Sequence, residues 1–271
     1  MIRIRNLTYS YPGGNKTLDS VSLDINKGEF VVITGKNGSG KTTLLRHMNG
    51  LLLPEGGSVS VNGMNTTDQS SILKIRQIAG MVFQDPRSQF IGMTVEEDVA
   101  FGPENLGLLP EEILTRVNSS LQAVGMQEYR NYSPSSLSGG QKQKVALASV
   151  IAMKPEILLF DEATSMLDPV SRKEILGIIR KLHEKGTTVV YVTHRLEELI
   201  HADRLIVIEG GQITHDDSPR KILAQAKNVN FGFPLPPVLE LSRSFCESGL
   251  INPESFPLSR EELREVLCQL M

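Results

Sequence analysis

Gly35-Lys36-Asn37-Gly38-Ser39-Gly40-Lys41-Thr42 decides the fold of this 271-residue chain. The run satisfies G-x-x-x-x-G-K-[ST], and its flanks match what that pattern requires. Ahead of it, Phe30-Val31-Val32-Ile33 is a short apolar, β-branched run that reads as a buried strand. Behind it, Thr43-Leu44-Leu45-Arg46 opens a helix. Glycines at 35, 38 and 40 reach backbone angles closed to other residues, so successive N–H groups can turn inward around an anion. The helix start adds its positive end at the same point. Lys41 would then reach the outer phosphates of a nucleoside triphosphate, and the Thr42 hydroxyl would meet its Mg²⁺.

Around this loop, apolar strands alternate with helical patterns. Ile2-Arg3-Ile4, Val21–Ile25 and Val59-Ser60-Val61 alternate as half-buried antiparallel strands do. Ile157–Phe160, Thr188–Val192 and Leu205–Ile208 are continuous apolar runs with helical stretches between them. That order predicts an α/β fold whose core sheet is mostly parallel, with an antiparallel β subdomain near the N-terminus. Residues 104–150 read as a helical subdomain, with Leu114, Val117, Leu121 and Val124 at helical spacing and Gly125 as its C-cap. Pro234-Leu235-Pro236-Pro237 marks a linker, which divides residues 1–230 from a small C-terminal helical extension over 231–271. In that extension Ser259 and Glu262 form a capping box ahead of Leu263, Val266, Leu267 and Leu270, and Val238, Leu241 and Phe245 make an earlier helix.

Composition narrows the function. Net charge is −3 with 22% charged residues, which lacks the basic excess of a nucleic-acid binder. Met1–Arg5 does not read as a signal peptide, and no apolar run reaches the ~20 residues that span a bilayer. The expectation is a soluble protein at the cytoplasmic face of a membrane, attached through a partner. Cys246 and Cys268 have no metal-ligand spacing and are expected as buried thiols.

Two further stretches carry chemistry. Ile157–Phe160 ends in Asp161-Glu162, placing one carboxylate for Mg²⁺ and a second to polarise the attacking water. Leu137-Ser138-Gly139-Gly140-Gln141 opens a helix with a hydroxyl and two glycines, a second anion site built from N–H groups.

Gly35–Thr42, Gln84, Leu137–Gln141, Ile157–Glu162, Ser165–Asp168 and His194 follow one another in the order seen in ATP-binding-cassette (ABC) ATPases, a branch of the P-loop NTPases. The chain resembles that family over roughly residues 1–230, and the Leu-Ser-Gly-Gly-Gln pentapeptide is highly specific to it. Gln84–Phe90, Phe101–Leu108 and Asp161–Pro169 resemble the energy-coupling-factor subgroup, which includes cobalt-type importers. The resemblance implies that Gly35 to Thr43 (Lys36, Asn37, Ser39 and Gly40 among them), Ser138, Gly139, Gly140, Gln141 and Asp168 bind ATP. It implies adenine stacking on Tyr11, with Tyr9 as the competing choice, and Mg²⁺ held by Thr42, Gln84 and Asp161. Glu162, His194 and Gln84 would be the catalytic side chains.

The same resemblance implies two cassettes closing on shared ATP, as a homodimer or with a paralogue, and driving transmembrane coupling and substrate-binding subunits. Phe90 and Ile91 would suit that partner if exposed, with core packing as the alternative for each. The function implied is the ATPase of an importer for a transition-metal ion (cobalt or nickel) or a vitamin. The alternatives are an exporter or lipid-handling ATPase, and a non-transport ABC protein. Lys144 stands where the family commonly has arginine, which keeps the charge and loses the planar fork.

Overall fold

Phe30–Thr34 is buried at all five positions, as a strand covered on both faces must be. It is the third strand of a computed structural model that describes residues 1–225 and 229–270, the side chains of Ile200, Gln269 and Leu270 excepted. Two units divide the chain, one made of Met1–Thr67 with Val190–Met271 and the other of Asp68–Val189.

In the first unit, β1 (Ile2–Ser10), β2 (Lys16–Ile25), β4 (Gly56–Val61) and β5 (Met64–Asn65) form an antiparallel sheet in the order β2-β1-β4-β5. Ile2 pairs with Ile25 and Val61, and Ile4 with Leu23 and Val59, so the alternating apolar residues share one buried face. Asn6 breaks the alternation. Its φ is 47°, and the register shifts between Ile4 and Leu7, so the bulge returns Leu7 to the buried face.

The same unit holds β3 (Phe30–Thr34) parallel to β9 (Arg204–Glu209), with Thr34 opposite Val207. β10 (Gln212–Asp217) returns antiparallel to β9 through Gly210 and Gly211, whose φ values of 56° and 80° suit a tight hairpin. Arg204 joins Asp216 at 2.5 Å and Glu29 at 3.2 Å, and the Asp216 hydrogen bond holds its pKa above the usual arginine value. The phosphate-loop helix α1 (Lys41–Met48) buries Leu44, Leu45 and Met48.

The second unit pairs β6 (Ala79–Val82) parallel to β7 (Ile157–Asp161), Ala79 opposite Ile157. β8 (Thr188–Val192) straddles the division of the chain and is buried throughout. Helix α2 (Ile72–Ile78) leads into β6. Helices α3 (Val95–Asn105), α4 (Pro110–Val124) and α5 (Gly139–Ala152) pack together, and α6 (Pro169–Glu184) follows β7. α3 starts at Val95, ahead of residue 104, because Thr94 and Glu97 close a reciprocal capping box there. α4 buries Val117, Leu121 and Val124 and ends on Gly125 at φ 69°, but Leu114 at the head of its stripe is exposed.

The extension comprises α8 (Pro237–Glu247) and α9 (Arg260–Leu270), preceded by α7 (Pro219–Ala224). It packs on its own unit. Phe256 is fully buried, with Leu239, Ile251, Leu258 and Leu263. Arg220 of α7 donates to the Phe256 carbonyl and to Glu262 at 2.8 Å. Ser259 caps the Glu262 N–H at 3.1 Å, while the Glu262 carboxylate takes the Leu258 N–H rather than closing the box on Ser259. The Leu270 side chain of the expected stripe lies outside the described residues. The expectation of buried cysteines is corrected: Cys268 is exposed on α9 and Cys246 is half-buried on α8, since both helices bury leucines instead. No helix among the described residues is long and apolar enough to cross a membrane.

Phe256→Ala should empty the centre of this attachment at a cost of about 3–5 kcal/mol. Limited proteolysis should then cut within residues 235–269 well before the rest of the chain, and an unchanged cleavage pattern would contradict this account of the tail.

Candidate active site

The phosphate loop is held by backbone approaches that exclude side chains. A Cβ on Gly35, whose φ is 142°, would lie 2.1 Å from the Ile208 carbonyl oxygen. One on Gly40, at φ 106°, would lie 2.7 Å from the Thr17 carbonyl oxygen and 2.8 Å from Leu18 Cδ2. Gly38 takes φ 78° in open space, so only its backbone angle calls for glycine there. Gly40 stands at the N-cap of α1 and no side chain caps the helix, leaving that end shaped for an anion. Lys41 Nζ donates to the carbonyls of Gly35 (2.8 Å) and Lys36 (2.9 Å), folding the ammonium over the loop. Lys36, Asn37 and Gly38 are exposed, Ser39 is buried, and Thr42 is half-buried.

Tyr11 leans over the first turn of α1. Its hydroxyl lies 3.2 Å from Thr43 Oγ1, and the residue is 39% exposed. Tyr9 packs edge-on against Tyr11 at 5.2 Å and against the His47 ring at 4.8 Å. His47 is fully buried with Nδ1 2.7 Å from the Thr43 carbonyl, and burial lowers its pKa. Of the two tyrosines, Tyr11 offers the accessible ring and Tyr9 buttresses it.

His194 follows β8. The buried Thr193 beside it donates through N–H to the Ile33 carbonyl at 3.1 Å and through its hydroxyl to Glu198 at 2.6 Å. The Phe233 ring meets the His194 ring edge-on at 6.4 Å. One residue earlier, Gly232 rests on the phosphate loop, where a Cβ would fall 2.0 Å from Lys36 Cγ. Sequence reasoning missed both contacts, and the only signal was Phe-Gly-Phe just ahead of the proline run.

The second unit carries the remaining groups. Asp161 ends β7 and is buried. Glu162 takes φ 49°, a left-handed angle that is uncommon for a glutamate and costs about 1–3 kcal/mol. Ser138 caps α5. Its Oγ accepts the Gln141 N–H at 3.3 Å, and Gln141 Oε1 accepts the Ser138 N–H at 2.9 Å. Ser138 and Gly139 are exposed, whereas Gly140 is buried, with Ser171 Oγ 2.2 Å from where its Cβ would be. Asp168 caps α6, accepting from the Val170 and Ser171 N–H groups at 3.0 Å, and hydrogen bonding to Ser171 lowers its pKa. Gln84 is exposed and donates to Ser165 Oγ at 3.1 Å. Lys144 spends its charge on Glu174 at 2.7 Å.

Thr42, Asp161 and Gln84 offer hydroxyl, carboxylate and amide oxygens, the hard donors that suit Mg²⁺. No cluster of three or more His, Cys, Asp or Glu able to hold a metal occurs among the described residues. A single carboxylate with neutral oxygens is a donor set that suits a cation sharing its coordination with phosphates.

The ABC transporter family profile matches residues 18–165. An energy-coupling factor transporter ATP-binding protein of Clostridium novyi is 48% identical, covering 100% of this chain and 98% of that protein. A protein of the same description from Methanosarcina acetivorans is 48% identical over the same shares. The chain belongs to the ABC transporter family, among its energy-coupling-factor ATP-binding subunits. It is therefore an ATPase whose hydrolysis is coupled to transport. Among solved structures, cbiO1 of Clostridium perfringens, part of the ABC transporter complex cbiONQ, superimposes with a TM-score of 0.77 at 32% identity, covering 89% of this chain and 97% of that one. The cassette MJ0796, dimeric and bound to ADP and Pi, gives a TM-score of 0.74 at 32% identity, covering 81% and 99%. The P-loop fold expected from the motifs is the fold found.

Gly35→Ala should drive the loop off the Ile208 carbonyl and lower ATP affinity at least about tenfold, since a clash and a strained φ both act at one residue. Titration calorimetry with ATP checks this, and unchanged affinity would show that the loop tolerates a side chain.

Proposed function

We propose that this ATPase powers an importer of a transition-metal ion (cobalt or nickel) or a vitamin, working from the cytoplasmic face of the membrane. The observation that carries the reading is the braced, apolar segment ahead of α3. Ile91 is 66% exposed and Met93 83%, on a loop whose N–H groups are fixed by two carboxylates. Asp98 Oδ1 accepts from Ile91 (2.7 Å) and Gly92 (2.8 Å), and Glu97 Oε2 accepts from Met93 (2.7 Å). Asp98 is buried, and burial raises its pKa despite those two hydrogen bonds. A chain gains nothing on its own by holding large apolar side chains in water, so this segment reads as a seat for a membrane subunit. Of the two apolar residues weighed for this surface, Ile91 is exposed and Phe90 is half-buried.

The roles proposed for the site follow from its chemistry. The backbone of Gly35–Gly40 and the Lys41 ammonium bind the triphosphate, and Tyr11 stacks on adenine. Thr42, Asp161 and Gln84 hold Mg²⁺, which when bound offsets the charge of the phosphates. Glu162 takes the proton of the attacking water and His194 donates to the γ-phosphate. Exposed Ser138 and Gly139 belong to the face that closes on ATP held by a second copy or a paralogue. The dimeric state of the 32%-identical cassette MJ0796 supports that closure. Asp168 joins the same interface. ATP favours the closed pair because two helix starts meet its γ-phosphate, and hydrolysis removes that preference. The extension over 231–271 is proposed to aid dimerisation, with Leu241 and Leu250 exposed on it.

Glu162→Gln should bind Mg-ATP within about threefold of the parent while turnover falls about 10²-fold or more, because only the base is lost. Near-normal phosphate release would remove Glu162 from that role. Lys41→Ala should weaken ATP binding about tenfold or more by deleting a charge-assisted hydrogen bond. Equal affinities by calorimetry would refute it. Uptake of radiolabelled cobalt, nickel or vitamins by vesicles holding the co-purified membrane subunits identifies the cargo, and exclusive export would overturn the importer reading.

A further inference from the structure

Phe83, the residue between β6 and Gln84, has its peptide held by two side chains rather than by a neighbouring strand. Its N–H donates to Gln89 Oε1 at 3.0 Å, and its carbonyl accepts from Gln143 Nε2 at 3.2 Å. Gln89 Nε2 also donates to the Met81 carbonyl at 3.4 Å, so the loop folds back on the strand it leaves. Gln143 lies in α5, the helix that begins at Ser138 and carries the signature glycines. It is 1% exposed, and its Oε1 is buried with no hydrogen-bond partner among the described residues.

Burying an amide for a single hydrogen bond is a poor exchange for stability, and a leucine would fill the space at lower cost. The bond is therefore worth having for what it places. Gln84 is the next residue along, and its own amide reaches Ser165 at 3.1 Å in the loop after Glu162. A continuous polar path in one unit thus runs from α5 through Gln143 and Phe83 to Gln84 and Ser165.

We infer that Gln143 is a positioning residue for Gln84, tying the Gln84 loop to the signature helix so that the two move together. Closure at Ser138 then displaces Gln84 and the apolar segment after it, and a push on that segment returns to the signature helix by the same bond. This rests on the catalytic role proposed for Gln84 above.

The test uses the full chain with Gln143→Leu, Gln84→Ala and the double variant. Gln143→Leu should leave the Kd for ATP within twofold and lower kcat about tenfold, the loss expected when a bond that fixes a reacting group is removed. Amide hydrogen exchange of the peptide covering 81–90 should speed up in Gln143→Leu while α5 exchanges as before. In the Gln84→Ala background, Gln143→Leu should cost no further turnover. If it costs as much there as in the parent, or nothing in either, the inference is wrong while the Gln84 reading stands. If Gln84→Ala alone turns over normally, the Gln84 reading fails and takes the inference with it. Gln89→Leu, which loosens the same peptide from its other side, should repeat the pattern, and it carries the test if Gln143→Leu does not fold.

Discussion

The approach of Gly35 to the Ile208 carbonyl is the contact on which the first unit depends. It allows β3 to end directly against the end of β9, so the loop starts from a fixed point. Gly40 does the same against Thr17, and the loop is pinned at both ends by backbone rather than by side chains. Lys41 completes it by donating to the carbonyls of Gly35 and Lys36. The two bonds turn the ammonium back over the loop and hold its shape. Such a loop pays little reorganisation on binding, which is what a site that cycles between ligand states requires.

The second unit achieves placement by other means, with polar latches in place of glycine contacts. Ser138 accepts from the Gln141 N–H, yet its own hydroxyl hydrogen stays available to donate outward. The helix that starts at Ser138 therefore keeps its cap without using up that hydroxyl's donor. Gly140 is occupied inward by the Ser171 side chain, while Gly139 faces open space, so the two glycines of the motif answer different demands. Glu162 is held at φ 49° by the turn in which its carbonyl accepts the Ser165 N–H at 3.0 Å. Strain at that position sets the direction in which the carboxylate leaves the strand.

What could be read from the sequence was what depends on neighbours in the chain. The glycine loop, the buried strands, the helix start at Ser138 and the cap at Gly125 are local consequences of residue type. What could not be read depends on partners far along the chain. Phe233 beside His194 and Gly232 on Lys36 bring the linker to the phosphate loop and to the end of β8, and no periodicity encodes that. Leu114 and Phe90 show the same limit from the other side: helical spacing selected Leu114 for a core that closes below it, and local apolarity could not tell half-burial from exposure at Phe90. That Tyr9 packs on the buried ring of His47 while Tyr11 stays accessible could not be read from their spacing either.

The linker contacts also constrain the tail. Gly232 fits against Lys36 only because it lacks a Cβ, and Asn230 is tied to Glu209 at 2.6 Å, at the end of the strand that braces Gly35. These contacts hold residues 230–233 against Lys36 and the end of β9. Proline at 234, 236 and 237 stiffens the step that leads from there to α8. The tail is anchored through Arg220 and Phe256 to the unit that holds the phosphate loop, so its packing and the loop's backbone contacts belong to one folded unit.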